Sequence, residues 1–395
     1  MLRWPSSILM IVLLSGCVTG SGNLPSGASL QTDPVTFVSP PIRNPEDLQV
    51  LFWTSEERAQ RFREMENWFE GHEVLPPVAA RVLPAGDPLS PTIIAEINRT
   101  MKDTGIAGVM VLQDGKKRFE GYELGFTPDQ RWTSFSVAKS FTSTLLGAAI
   151  QDGFIGSLQD PITKYIPELD NSAYEGVTVE HLATMTSGVT WNEDYTDPNS
   201  DVAMMARFVL EYGDDAIVEQ MKQLPREANP GTKWVYKTGE TNLLGMLVEN
   251  AIGLPLAAYA KTKIVDPAGF EANLFWMSDP RGGSIGGCCI SLRLADYARM
   301  GQFALDGGSG IVPDGWFSKA GDSLIDFGES GFGYGYQWWT YPDNNYAAQG
   351  IFGQLIMLIP EDNIVLAVVG NWDTARSSEG RTAWRLIGEK IALSR

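Results

Sequence analysis

The stretch SFSVAKSFTSTLLG, residues 134–147, decides how the rest of the chain is read. Val137, Phe141, Leu145 and Ile150 recur at near-helical spacing and Gly153 ends the run, which predicts a helix that begins close to Ser136. Residues three apart on a helix share a face, so the Lys139 amine comes within reach of the Ser136 hydroxyl. The free amides and positive potential of a helix start favour negative charge developing beside the serine. A serine hydroxyl needs a base, and a lysine serves as one only when burial and nearby positive potential lower its pKa. The competing reading is an ordinary helix whose lysine extends to solvent, and Ser-x-x-Lys by itself does not separate the two.

Outward from this helix, IAGVMVLQDGKKRFEGYELG (106–125) places two apolar stretches around Asp114 and Gly115, a hairpin pattern. Upstream, SEERAQRFREMENWFE (55–70) reads as a helix. Downstream, TVEHLATMTSG (178–188) and TGETNLLGMLVENAIG (238–253) are the clearest helices of a middle region that alternates short helical patterns with loops. Strand chemistry returns in QLIMLI (354–359), a PEDN turn and IVLAVVG (364–370), followed by a helix from about Gly380. Strands at both ends with helices between them predict an α+β fold. One antiparallel sheet over 47–153 and 301–395 is flanked by helices and carries an inserted, mostly helical lobe over 154–300.

The N terminus differs from the rest. Residues 1–16 carry Arg3 and then an apolar run too short to span a bilayer, which reads as a secretory signal. LSGC (14–17) resembles the lipobox of bacterial lipoproteins, making Cys17 the acylated first residue of the mature chain; a plain signal cleaved nearby is the competing reading. Residues 17–46, rich in glycine, serine and proline, suit a tether. The expectation is a chain exported across the inner membrane and lipid-anchored facing the periplasm, touching the membrane through that anchor only.

Composition narrows the chemistry. A formal charge of -18, from 48 acidic and 30 basic residues, argues against a nucleic-acid partner, which needs a basic face. Cys288 and Cys289 lack a C-x-x-C partner and, as neighbours, fit disulfide geometry poorly, so they read as two small buried residues. With His72 and His181 the only histidines, a zinc site lacks its usual ligands. GGSIG (282–286) matches a nucleophile-elbow pattern, yet no histidine follows Ser284, which removes the Ser-His-Asp reading. His181 reads as a capping or packing residue.

Several ordered segments resemble the serine β-lactamase-like hydrolases, a family that includes penicillin-binding proteins, class C β-lactamases, esterases and 6-aminohexanoate-dimer hydrolases. SFSVAKSFTSTLLG resembles the nucleophile helix. EHLATMTSGVTWNEDY (180–195) resembles the segment that follows in the amide- and ester-hydrolase branch, and NPGTKWVYKTGETNLLG (229–245) the second motif. CCISLRLADYARMGQFALDGG (288–308), FGYGYQWW (332–339) and AAQGIFGQLIMLIPEDNIVLAVVGN (347–371) follow in order. The resemblance implies Ser136 as acylated nucleophile, Lys139 as base or proton relay, and Tyr236 as the tyrosine exchanging protons with nucleophile and leaving group. Gly350 stands where the family has the glycine of its third motif, and the amides of Ser136 and Ile351 would form the oxyanion hole.

Two departures carry weight. Thr238 stands where the second motif usually has asparagine or serine; its hydroxyl can still donate, with weaker amide recognition. Ala348 and Gln349 stand where β-lactamases carry lysine and threonine, and that lysine helps bind the acidic group of penicillins and peptidoglycan stems, so its absence counts against both substrates. Tyr195 resembles the tyrosine that assists the leaving amine in 6-aminohexanoate-dimer hydrolases. Asp194, Asp197 and Asp201 on the same loop are expected either to hold a substrate amine or to form a solvated acidic loop. Trp191, Trp234, Trp338 and Trp339 suggest an aromatic-lined pocket, or core. The resemblance thus implies an acyl-enzyme hydrolase of a linear amide or small ester, with no metal or cofactor. The alternatives are a β-lactamase or peptidoglycan D,D-peptidase and, from another class, a non-catalytic cell-wall binding protein.

Overall fold

The computed structural model describes residues 34–41, 43–328 and 331–394. The signal over 1–16, Cys17 and the tether up to residue 33 lie outside the described residues. In chain order the strands among the described residues are β1 (Val35–Val38), β2 (Gly71–Val74), β3 (Ile106–Gln113), β4 (Lys116–Tyr122), β5 (Trp132–Thr133), β6 (Leu274–Met277) and β7 (Ile290–Leu292). They continue as β8 (Ile325–Asp326), β9 (Gly333–Tyr334), β10 (Trp339–Thr340), β11 (Tyr346–Gln349), β12 (Leu355–Ile359) and β13 (Ile364–Gly370).

The larger sheet has the antiparallel order β4-β3-β13-β12-β11-β10-β9-β8, so N-terminal and C-terminal segments meet where β3 pairs with β13. The expected hairpin closes at Asp114 and Gly115, both with positive φ (52° and 70°), the backbone that a two-residue type I′ turn requires. The PEDN turn joins β12 to β13 with Asn363 left-handed at φ 49°.

Every residue of β13 is buried, which explains why IVLAVVG reads as a continuous apolar run rather than an alternation. Ile364, Leu366 and Val368 pack under Ile97 and Met101 of the Pro91–Asp103 helix and Trp384 and Ile387 of the Ser378–Leu393 helix. Val365, Ala367 and Val369 join the opposite core with Leu294 and Ala298 of the Leu294–Leu305 helix. Gly301 lets that helix lie close, since a Cβ there would come within 2.5 Å of Val365.

A second antiparallel sheet, β1-β2-β6-β7-β5, adds to the single sheet expected from sequence. Three of its strands change the expected organisation. β1 falls in the stretch expected to be a tether: Val35–Val38 pairs with β2, and Phe37 meets the His72 ring edge-on at 5.3 Å. The β-branched and aromatic tetrad VTFV supplies the strand within a composition otherwise unsuited to one. β6 and β7 fall in the stretch expected to be mostly helical. The helix expected over 55–70 ends at Arg61, capped at Thr54, and a short 3-10 turn follows at Met65–Asn67.

Candidate active site

The nucleophile turn is suspended between the two sheets. β5 leads into Ser134, whose amide donates to the Ile290 carbonyl (2.7 Å) and whose Oγ accepts from the Ile290 amide (2.9 Å), fixing the turn to β7. On the other side Gly350, at the end of β11, lies so close that a Cβ would sit 2.5 Å from the Ser134 carbonyl oxygen. Phe135 takes φ 43° and Phe352 φ 61°, unusual for aromatic residues. Their rings lie 5.4 Å apart and both contact Phe62, so apolar packing holds the two strained positions. Ser136 follows in a 3-10 turn, Phe135–Val137, that runs into the Ala138–Gln151 helix.

Lys139 is one turn on and only 1% exposed. Its Nζ donates to Thr238 Oγ1 (3.1 Å) and the Gly287 carbonyl (3.0 Å), and lies 5.3 Å from the centre of the Tyr236 ring. Burial lowers its pKa to about 8, opposed by the Glu193 carboxylate. The solvent-exposed lysine of the competing reading is therefore not what the fold builds. Gly287 is small for a reason: a Cβ there would stand 2.9 Å from Lys139 Nζ.

Tyr236 is half-buried at the start of the Thr238–Ile252 helix and stacks on Trp339 at 5.5 Å. Burial raises its pKa, the Glu193 charge adds to that, and hydrogen bonding with Ser136 works in the opposite direction. Ser136, Tyr195, Tyr236, Gly350 and Ile351 all line one cleft of about 550 Å³, walled by Trp234, Trp339, Phe327 and Tyr341. Of the tryptophans singled out from sequence, Trp234 and Trp339 face this cleft, whereas Trp338 packs on Phe317 and Tyr346 in the core.

Thr238 differs from expectation. Its hydroxyl accepts from Lys139 and donates to Glu193, and it does not line the cleft, so it joins two buried charged groups instead of facing a substrate. The acidic loop differs too. Asp194 accepts from Thr196, Asp197 from the Asn199 amide and Asp201 from the Asn192 amide, all contacts that shape the loop itself.

The carboxylate that points inward is Glu193, which the sequence reading passed over. It is 8% exposed and accepts from Trp191 Nε1, from Tyr195 Oη (2.8 Å), and from both the amide (3.0 Å) and hydroxyl of Thr238. In the structure residues 191 to 196 alternate buried and exposed, putting Trp191, Glu193 and Tyr195 on one inward face, an alternation that the residue types of WNEDYT do not show. Beneath Tyr236, Lys237 and Glu240 form a fully buried ion pair (3.5 Å), with Glu240 also accepting from Tyr174 (3.3 Å) and Ser187.

The remaining candidates resolve as structure. Thr178 and His181 form a reciprocal cap at the Val179–Ala183 helix. Ser284 accepts from the Ala257 amide, and its own amide donates to Glu249. Cys289 is buried, as expected, and Cys288 is half-buried, with the two sulfurs lying against each other.

Comparison with known proteins agrees with this arrangement. The Beta-lactamase family profile matches residues 93–281. The 6-aminohexanoate-dimer hydrolase of Paenarthrobacter ureafaciens is 28% identical over 327 residues, 76% of this chain and 83% of that one. A Bacillus anthracis structure assigned provisionally to 6-aminohexanoate-dimer hydrolase superposes with a TM-score of 0.73 at 19% identity, over 85% of this chain and 93% of that one. A class C β-lactamase superposes with a TM-score of 0.58 at 17% identity, over 77% and 95%. A buried lysine one turn after a cleft serine, a tyrosine over both and these matches lead to one conclusion: the chain resembles the β-lactamase-like serine hydrolases and is similar over most of its length to the 6-aminohexanoate-dimer hydrolases.

Proposed function

We propose that this chain hydrolyses a linear amide or small ester through an acyl-enzyme on Ser136. The observation that carries the reading is the buried amine of Lys139, held one turn behind a cleft serine with its pKa lowered to about 8. A fraction of that amine is neutral near pH 7 and able to take the serine proton. As Ser136 Oγ bonds to the substrate carbonyl carbon, its proton passes to Lys139, directly or through Tyr236. The carbonyl oxygen gains negative charge facing the amides of Ser136 and Ile351. Collapse breaks the bond to the amine or alcohol, which leaves with a proton from Tyr236. Water then attacks the acyl carbon, gives its proton back along the same path and frees the acid. Tyr195, hydrogen-bonded to Glu193 at the cleft wall, assists a leaving amine.

Relatedness to the P. ureafaciens enzyme supports an amide substrate. Ala348, in place of a lysine on β11, is the observation against a β-lactamase or D,D-peptidase. The lipobox-like LSGC supports export and anchoring through Cys17. The test is a panel of p-nitrophenyl esters, nitrocefin and 6-aminohexanoate dimer with the wild type and Ser136→Ala. Turnover of an ester or the dimer that Ser136→Ala abolishes supports the reading. Nitrocefin hydrolysed at the highest rate of the panel reverses the substrate ranking, and turnover undiminished in Ser136→Ala refutes the mechanism.

A further inference from the structure

Behind Tyr236 lie two titratable groups for which the reaction has no direct use. Lys237, at the cap of the Thr238–Ile252 helix, and Glu240, in its first turn, are both fully buried and pair at 3.5 Å. Burial raises the Glu240 pKa, and the Lys237 charge is the largest influence against that. A buried ion pair is weak support for stability, since apolar residues of similar volume often serve as well. Its stronger effect is on geometry, because in the interior neither charge can leave its partner without a large cost.

The pair joins three segments. Ser187 accepts from Lys237 (3.4 Å) and donates to Glu240, and Tyr174 donates to Glu240 (3.3 Å). The Val189 amide donates to the same Ser187 hydroxyl (3.1 Å). Main-chain support beside Tyr236 is modest by comparison. The Val235 amide donates to the Met185 carbonyl (3.2 Å), and the Lys237 amide donates to the Met185 sulfur (3.4 Å), a weak acceptor. Lys237 is extended at φ -136° and ψ 106°, so its side chain leaves the chain opposite to those of Tyr236 and Thr238. Tyr236 lines the cleft and Thr238 accepts from Lys139, while Lys237 enters the core. Trp339, stacked on the Tyr236 ring at 5.5 Å, and Tyr334, edge-on at 6.2 Å, fix the plane of that ring but not how far it reaches along the plane. That depth is set where the main chain is held.

We propose that Lys237 and Glu240 are positioning residues for Tyr236, rooting its turn so that the phenol oxygen stays within proton-transfer reach of Ser136. Neither lines the cleft, and both act on the reaction through Tyr236. This rests on the hydrolase reading above and deepens it.

A double-mutant cycle tests it. Removing one partner alone strands a buried charge, so the variant is Lys237→Met/Glu240→Gln, which is neutral and keeps an acceptor for Ser187 and Tyr174. On p-nitrophenyl butyrate its kcat should fall by roughly 10- to 100-fold, the cost of misplacing a reacting group by about 1 Å, with KM within about twofold. In a Tyr236→Phe background the same change should cost less than about twofold, because the group it positions is already gone. Ser187→Ala, which leaves both charges in place, should repeat this pattern to a smaller extent and decides the matter if the double variant does not fold; circular dichroism and thermal denaturation report folding. Wild-type kcat in the folded variants overturns the proposal, and so does a loss undiminished in Tyr236→Phe, which a merely structural pair would give. Wild-type turnover that Ser136→Ala abolishes, without coupling to Tyr236, defeats the positioning role alone; absence of wild-type turnover of every p-nitrophenyl ester defeats the hydrolase reading with it.

Discussion

At Lys139 two influences oppose each other, burial lowering the pKa and the Glu193 carboxylate raising it, with burial the larger. The neutral amine is the working form, so activity on a neutral ester should rise with pH, level off above about 8 and lose this limb in Lys139→Met. That variant should drop kcat/KM by about 10²–10⁴-fold, the usual contribution of a positioned base. Glu193 makes a sharper prediction. Glu193→Gln keeps an acceptor for Trp191 and Tyr195 but removes the negative charge, so the limb should move below the wild-type position, with kcat reduced by roughly tenfold. A pH–rate profile that stays in place would show that Glu193 does not tune the lysine. Neither Glu193 nor the task of Thr238 was apparent from residue type. Four acidic residues crowd 193–201, and only a buried contact to a helix 45 residues away distinguishes one of them.

At the scale of elements, β11 and the nucleophile turn must touch without a side chain between them. Gly350 has φ -122°, open to any residue, so its requirement is space and not conformation. Gly350→Ala should destabilise the protein by about 1–3 kcal/mol, as overpacking does, and lower kcat/KM at least about tenfold by moving the Ile351 amide. Thermal denaturation and ester kinetics measure the two effects, and a fully active alanine variant would mean that β11 lies farther from Ser134 than described. Elements built from local signals were readable in advance: the Asp114-Gly115 hairpin, the 364–370 strand and the helix after Ser136 each follow from adjacent residues. β1 was hidden because four strand-forming residues are diluted by the glycine, serine and proline around them. β6 and β7 were hidden because their partners lie up to about 200 residues away, a distance no local pattern spans.

For the whole molecule, the two ends of the chain supply the large sheet, whose β11 brings Ile351 to the cleft serine, and the intervening helices bring Lys139 and Tyr236. The convergence of Ser136, Lys139 and Tyr236 was legible through motif order, whereas the arginine-lined wall was not, because Arg376, Arg381 and Arg385 belong to no motif. At this scale the export reading predicts that, in a bacterial host, wild-type protein sediments with membranes and Cys17→Ala protein does not; equal fractionation of the two would remove the lipid anchor.

The central claim is that Ser136 is the nucleophile. Folded protein incubated with a fluorophosphonate probe and analysed by intact-mass and peptide mass spectrometry should gain a single adduct on the peptide containing Ser136, faster as pH rises toward about 8, and Ser136→Ala should gain none. An unlabelled wild type that is folded and turns over substrate, or an adduct on another residue, would contradict it.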